Sequence, residues 1–305
     1  MRIGVDLGGT KIAAIALDGQ GNCLHQLRWS TPAGDYRRTL EAVAGIVQAI
    51  EQATGRQGRV GIGSPGSLSP ASGLIRNANS TCLNGNPLQR DIEALLKRPV
   101  RLANDADCFA LSEASDGAGA GYASVFGVIL GTGTGAGIVI NGQLLPDANR
   151  ISGEWGHNPL PWPQAEEMPG DDCYCGKQGC IETFLSGPGL QREYQRLTGE
   201  RISGETLGER LARQETHAEQ AMQHYEDRLA RSLASVINIL DPQAIILGGG
   251  LCNFARLYRT VPALWSKYVF SDTVNTRLLA PRHGDSSGVR GAARLWDDEP
   301  QPDQR

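Results

Sequence analysis

His157, Cys173, Cys175 and Cys180 carry three thiols and one imidazole, a donor set suited to tetrahedral Zn²⁺. Three free thiols that merely lie close in sequence are the competing reading. Four protein donors would close the metal's shell, so its role would be structural, and it would orient His157 and leave that ring's other nitrogen for a ligand. A second chemistry lies in three glycine turns. Asp6–Lys11 (DLGGTK) brings Gly8, Gly9, Thr10 and Lys11 together. Without Cβ atoms the glycines let backbone N–H groups approach phosphate oxygens, and Thr10 and Lys11 add donors. Asp6 could hold Mg²⁺ through water. Gly131, Thr132 and Gly133 open a similar GTGTG turn, and Gly248, Gly249 and Gly250 form a third. One such turn is an ordinary hairpin. Three of them suit ATP, with the phosphate chain on the first two and the adenosine on the third, in a cleft between two lobes. No Walker A loop is present, and a strand rather than a helix follows the first turn, against a dinucleotide-binding fold.

The elements that must carry these turns are legible from periodicity. Residues 2–7 and 11–17 read as strand, glycine turn, strand. Helical spacing covers 39–53, 88–96 and about 106–114, with strands at 60–63 and 100–103. Around 117–121 the chain becomes small and glycine-rich. Beyond it, strand 124–130, the GTGTG turn and strand 137–141 repeat the opening pattern, suggesting an internal duplication. A long amphipathic helix through Ala221, Tyr225, Leu229, Leu233, Ile237 and Leu240 ends at Asp241-Pro242, because proline disfavours helix in the residue before it. Strand 244–247 enters the third glycine turn, a last helix runs from Ser287 to about Trp296, and the polar tail 298–305 reads as disordered.

The chain has 305 residues, 40 % hydrophobic and 20 % charged, with a net charge of −4. That is enough apolar material for two lobes, and no basic run offers itself to nucleic acid. No apolar stretch is long enough to span a membrane and no leader pattern opens the sequence, so cytoplasm is the expected location. Cys23, Cys82, Cys108 and Cys252 stand alone in sequence and read as small buried hydrophobes.

DLGGTK, the NDAD of Asn104–Asp107, GTGTG, Glu154–His157 (EWGH) and the cysteine-rich stretch, in that order, resemble the ROK family of sugar kinases and sugar-responsive repressors. Residues 77–81 (NANST), 153–162 (GEWGHNPLPW), 173–184 (CYCGKQGCIETF) and 283–293 (HGDSSGVRGAA) most resemble bacterial fructokinases of the manno(fructo)kinase type. The resemblance implies a two-lobed, actin-like (ribonuclease H-like) α/β fold and γ-phosphoryl transfer from ATP with Mg²⁺ to a sugar hydroxyl. For this chain it points to D-fructose, giving fructose 6-phosphate. Asp105 is then the general base that accepts the hydroxyl's proton. Asn104 and Asp105 also suit a helix N-cap, and Asp105 could do both. Asn79, Asn104, Glu154, His157 and Glu182 match the family's sugar-binding positions, and Gly66 would let backbone approach the sugar. Ser64 and the loop 146–150 (PDANR) depart from the family's pattern.

The resemblance places an N-terminal lobe at 1–118, completed by the helix 287–297. A C-terminal lobe at 119–286 carries the ATP turns and the zinc motif. A homodimer is the family expectation. Glucose, mannose, N-acetylmannosamine and N-acetylglucosamine stay open as acceptors, since few pocket contacts separate them. A sugar-sensing repressor is disfavoured because no helix-turn-helix segment precedes Asp6. An actin-like structural ATPase would have no use for the Glu154, His157, Glu182 and cysteine set.

Overall fold

The computed structural model describes residues 1–297; the expected disordered tail at 298–305 lies outside the described residues. In chain order the elements are β1 (Arg2–Leu7), β2 (Lys11–Leu17), β3 (Cys23–Ser30), α1 (Tyr36–Thr54), β4 (Arg59–Ser64), β5 (Ser67–Leu68), β6 (Ile75–Arg76), α2 (Leu88–Leu96), β7 (Val100–Asn104) and α3 (Asp105–Asp116). There follow β8 (Ser124–Leu130), β9 (Thr134–Ile140), β10 (Gln143–Leu144), α4 (Ile181–Leu185), α5 (Gly187–Thr198), α6 (Gly204–Ala212), α7 (Thr216–Leu240), β11 (Ala244–Gly248), α8 (Leu257–Leu264), β12 (Arg277–Leu279) and α9 (Ser287–Arg294).

One compact unit comprises Met1–Ala120, Gly137–Ser152 and the chain from Arg282 onward; the other comprises Gly121–Ala136 and Gly153–Pro281. Residues 137–152 and 282–286, expected in the C-terminal lobe, thus group with the first unit. Gly137 shows why, since a Cβ there would sit 2.6 Å from the Ala106 carbonyl of α3, and only glycine lets β9 run so close.

The first unit is built on a sheet of order β3-β2-β1-β4-β7. β1 and β2 form the antiparallel hairpin expected around the DLGGTK turn, with Leu7 opposite Ile12. β1, β4 and β7 are parallel, with Asp6 beside Gly63 and Ser64 beside Asn104. One register therefore brings Asp6, the Ser64–Gly66 turn and Asn104 to the same carboxyl-terminal edge. Ile3, Val5, Ile12 and Ala14 pack with Val43, Val47 and Ile50 of α1 on one face. On the other face Ala13, Ile15 and Leu17 meet Val289 and Ala293 of α9. That helix lies unusually close to its neighbours. Added Cβ atoms at Gly4, Gly61 and Gly291 would come within 2.0, 1.9 and 1.6 Å of the carbonyls of Val289, Ala292 and Cys108.

The second sheet runs β10-β9-β8-β11-β12, with β8, β11 and β12 parallel. Its order repeats that of the first, three strands then two parallel additions, as the recurring strand–glycine–strand pattern implied. β9 starts at Thr134, inside the expected GTGTG turn, so the turn itself is Gly131–Gly133. α7 buries Ala221, Tyr225, Leu229, Leu233 and Ile237, and its Tyr225 hydroxyl donates to Leu185 O at 2.9 Å. The same helix buries Arg228 and Arg231, which pair with Glu167. β3, α5, α6, α8 and β12 had no counterpart in the sequence reading. Among the four isolated cysteines, Cys108 and Cys252 are buried, whereas Cys82 is half-buried and Cys23 is exposed on the edge strand β3. Among the described residues no helix is long and apolar enough to cross a membrane.

Candidate functional site

In the first unit the sequence-identified groups gather where β1, β4 and β7 end. Gly8 N–H donates to Lys11 O at 3.0 Å, and a Cβ at Gly8 would crowd that carbonyl at 2.9 Å. The turn leaves Gly9, Thr10 and Lys11 exposed. Thr31 Oγ1 ties the turn down by donating to Gly8 O at 2.7 Å. Asp6 stands behind it. Burial pushes its carboxyl up to about 6, against a weaker downward pull from Arg28. A Cβ on Gly288 would lie 3.1 Å from Asp6 Oδ2, which puts the first turn of α9 against this carboxylate.

Asn104 is the N-cap of α3: its Oδ1 accepts the Ala106 N–H at 2.8 Å, an N–H that Asp105 Oδ1 also accepts at 2.9 Å, while the Asn104 amide donates to Gly66 O at 3.0 Å. Asp105 is the first helical residue, half-buried at that sheet edge. Gly66, at φ 74°, packs so closely on the 76–78 backbone that a Cβ would meet Arg76 O at 2.4 Å. This close approach sets the loop carrying exposed Asn79. Asn84, which sequence reasoning missed, grips the same loop: it accepts from Ala78 N–H and donates to Ala78 O, both at 2.9 Å. An Asn a few residues beyond NANST is a turn-forming type, and that was the only signal.

In the second unit the remaining two glycine turns lie side by side. β8 and β11 are parallel with Ile129 opposite Gly248, and a Cβ on Gly249 would meet Leu130 O at 2.4 Å. Ligand sites at the carboxyl ends of parallel strands follow the general rule for such sheets. Gly248–Gly250 leads into a short 3-10 turn, Gly250–Asn253, and not directly into a helix. Glu182, on α4, accepts the Thr134 N–H at 2.8 Å through Oε2, and a Cβ on Gly133 would approach that oxygen to 2.7 Å. Glu154 and His157 flank a 3-10 turn, with Trp155 buried between them.

The metal candidates converge. The ligating atoms of His157, Cys173, Cys175 and Cys180 all lie within 4.8 Å of one another. Cys173 Sγ is 3.5 Å from His157 Nδ1 and Cys175 Sγ is 3.6 Å from Cys180 Sγ. A tetrahedron built on ordinary zinc–sulfur and zinc–nitrogen bonds has edges of roughly 3.6–3.8 Å. The loop is prepared by backbone pairing: Cys173 N–H donates to Lys177 O at 2.8 Å and Gly176 N–H to Cys173 O at 2.9 Å. Burial, followed by hydrogen bonds to Cys175 and Cys173, pushes the Cys180 thiol up to about 12. A divalent cation reverses that situation by stabilising thiolates. The residues fit Zn²⁺.

His157 differs from expectation in one respect. Its Nε2, expected to face a ligand, lies 2.9 Å from the Tyr174 hydroxyl, with the two rings edge-on at 5.0 Å. Burial first, then the carboxylates of Glu182 and Glu154, push that hydroxyl above its ordinary range. A tyrosine between two metal-ligating cysteines was unremarkable in sequence. Among the other histidines, His217 pairs with Glu215, His224 with Glu193 and His283 with Asp116. The 283–288 turn does not cap α9 through a Ser286 side chain; instead Ser287 Oγ and His283 N–H donate to the buried Glu113 carboxylate.

With this geometry in place, comparisons with known proteins can be set beside it. The ROK family model matches residues 2–299. An N-acetyl-D-glucosamine kinase of Pectobacterium atrosepticum is 38 % identical over 299 residues, covering 97 % of this chain and 98 % of its own. A ROK hexokinase from Thermus thermophilus superposes with a TM-score of 0.84 at 31 % identity, covering 96 % of each chain. A ROK family glucokinase from Streptomyces griseus, solved with glucose and AMPPNP, gives 0.78 at 27 % identity, covering 96 % of this chain and 98 % of its own.

Proposed function

Because the chain belongs to the ROK family, we propose that it is an ATP-dependent sugar kinase that transfers the γ-phosphoryl group to the primary hydroxyl of a hexose. The observation that carries this is the placement of Asp105. It begins a helix at the carboxyl edge of three parallel strands, with Asp6 and the DLGGTK turn at the same edge. Phosphoryl transfer needs alignment and charge stabilisation more than covalent help, and a carboxylate in reach of the acceptor hydroxyl takes its proton. Asn79, Asn104, Glu154, His157, Glu182 and the backbone at Gly66 are the positions that the family likeness assigns to sugar hydroxyls.

The Gly131–Gly133 and Gly248–Gly250 turns would receive nucleotide, with Asp6 holding hydrated Mg²⁺. His157, Cys173, Cys175 and Cys180 would hold Zn²⁺, which would fix the loop that carries His157. A homodimer in the cytoplasm is the assembly and location that accompany this reading.

D-fructose is the acceptor we favour, on the likeness of 77–81, 153–162, 173–184 and 283–293 to fructokinases. N-acetyl-D-glucosamine is the second reading, favoured by relatives of 36–38 % identity that carry that activity in their names. A coupled ADP-release assay with Mg-ATP against hexoses and N-acetylhexosamines separates the two. Asp105→Asn should keep the fold and lower turnover by about 10²–10⁴-fold. Near-normal turnover in that variant removes the assignment of the base, and absence of turnover with every sugar removes the kinase reading.

A further inference from the structure

We propose that the Ser80 hydroxyl contacts the phosphoryl group being transferred, donating a hydrogen bond to the γ-phosphate held at the Asp6–Lys11 turn. The inference rests on the kinase reading above, with that turn as a phosphate seat.

It starts from Gly9. A Cβ there would lie 3.3 Å from Ser80 Oγ and, its own chain neighbours apart, would meet nothing else within 4 Å. The room that a glycine leaves for a phosphate oxygen is therefore bordered by one hydroxyl, brought in from a distant part of the chain. Ser80 is the N-cap of a 3-10 turn, Thr81–Leu83. A serine in that place ordinarily spends its side-chain oxygen on an N–H of the turn it opens. This one makes no such bond. Main chain closes the turn instead, with Leu83 N–H donating to Ser80 O at 3.0 Å. Among the described residues the hydroxyl has no hydrogen-bond partner, so its proton is free for a ligand.

Neighbouring bonds hold that hydroxyl in place. Ala78 is buried and gripped by Asn84 through both its N–H and its carbonyl, each at 2.9 Å. The Asn86 amide donates to Cys82 O at 2.9 Å, and Leu83 is buried in the core with Ile75 and Leu88. Across from it, Thr31 Oγ1 fastens the glycine turn through Gly8 O. Asn79, a position that the family likeness assigns to the sugar, directly precedes Ser80. Consecutive residues of one pinned loop thus offer an amide to the acceptor and a hydroxyl to the phosphate. Charge in the transfer is spread over the equatorial phosphoryl oxygens, and a donor already fixed beside one of them stabilises it. Ser80 keeps its proton throughout. The bond from the γ-phosphorus to the leaving ADP oxygen breaks, a bond to the sugar oxygen forms, and the sugar's proton passes to Asp105.

The experiment compares wild type with Ser80→Ala in steady-state kinetics, in melting, and in affinity for Mg-ADP and for the non-hydrolysable analogue AMPPNP with Mg²⁺. Ser80→Ala should lower kcat by roughly tenfold to a hundredfold, the worth of a hydrogen bond to a charged group. The sugar KM should stay within about twofold. AMPPNP, which carries a γ-phosphate, should bind more weakly to the variant, whereas ADP, which lacks one, should bind as before. Because the hydroxyl holds nothing in the unliganded protein, the variant should melt within about 2 °C of wild type. A wild-type kcat in the variant, equal weakening of ADP and AMPPNP, or a larger fall in melting temperature overturns the role of Ser80 and leaves the kinase reading intact. Wild type that turns over no sugar overturns the kinase reading, and the inference with it.

Discussion

Glu113 offers a sharp test of how the first unit is held together. It lies on α3, is 0 % exposed, and is an acid that nothing in the sequence pattern singles out. Its Oε2 accepts the N–H groups of Ala118 and Arg282, each at 2.9 Å. Its Oε1 accepts the His283 N–H at 3.1 Å and the Ser287 hydroxyl at 2.7 Å. One carboxylate thereby anchors the end of α3 and the start of α9. Glu113→Gln keeps the shape but turns one oxygen into a donor facing two donors. Two bonds to a charged acceptor are lost, at roughly 1.5–3 kcal/mol each, so the expected loss is about 3–6 kcal/mol. At about 2–4 °C per kcal/mol for a unit of this size, the melting temperature should fall by roughly 6–24 °C. Calorimetry of both proteins at neutral pH reads this directly. Burial alone would raise the Glu113 pKa, but the bonds from Arg282, Ala118, Ser287 and His283 reverse that and hold it below its ordinary 4.5. A depressed acid contributes stability that is full above its unfolded pKa and is lost as pH falls through the folded one. The gap between wild type and variant should therefore narrow on the acid side. A melting temperature within about 3 °C of wild type, with the gap flat in pH, refutes the reasoning.

Two further outcomes follow from the buried groups. Asp6 has the opposite sign to Glu113: burial raises its pKa to about 6, so the folded state binds its proton more tightly than the unfolded chain. Without nucleotide or added magnesium, this residue should make stability fall as pH rises from about 4 to about 6, and Asp6→Asn should remove that component; an unchanged pH profile in the variant would sink it. For the metal loop, one zinc per chain is expected by elemental analysis, and Cys180→Ser should release it and lower the melting temperature. Zinc well below one per chain in wild type, or full retention in the variant, overturns the site.

The glycine turns and the parallel-strand edges were readable from sequence because each obeys a local rule. DLGGTK and GTGTG place glycine where backbone must pass close to other atoms, and the strands around them alternate. The cysteine spacing was equally local, and the structure brings all four metal candidates within one coordination sphere. What escaped reading depends on contacts distant in sequence. β12 is three residues long and gains its identity only by pairing with β11. Asn84 and Glu113 look like a turn residue and a helix acid until the loops they bind are in place. Tyr174 was hidden for another reason: an exposed aromatic in a loop has no periodicity, and its contact with His157 is a consequence of how the metal loop folds.

That metal loop has a consequence for the Gly131–Gly133 turn as well. Cys180 is the residue on which α4 starts, and Glu182 is the second residue of that helix. The ligand cysteine therefore fixes the carboxylate by backbone geometry, with almost no freedom between them. Glu182 in turn accepts the Thr134 N–H at 2.8 Å, in the strand that leaves the Gly131–Gly133 turn. A Cβ on Gly133 would come 2.7 Å from the same carboxylate oxygen, so a larger residue there would displace Glu182. A Zn²⁺ bound here would have reach beyond its own ligands: by holding Cys180 it would restrain Glu182, which bonds the strand leaving the turn proposed to receive phosphate. Loss of zinc should then weaken Mg-ATP as well as sugar, and by more than any single sugar-contact substitution does. Zinc-depleted protein that stays folded and binds Mg-ATP with wild-type affinity would show that the turn holds its shape without the metal, and would confine zinc to the loop around His157.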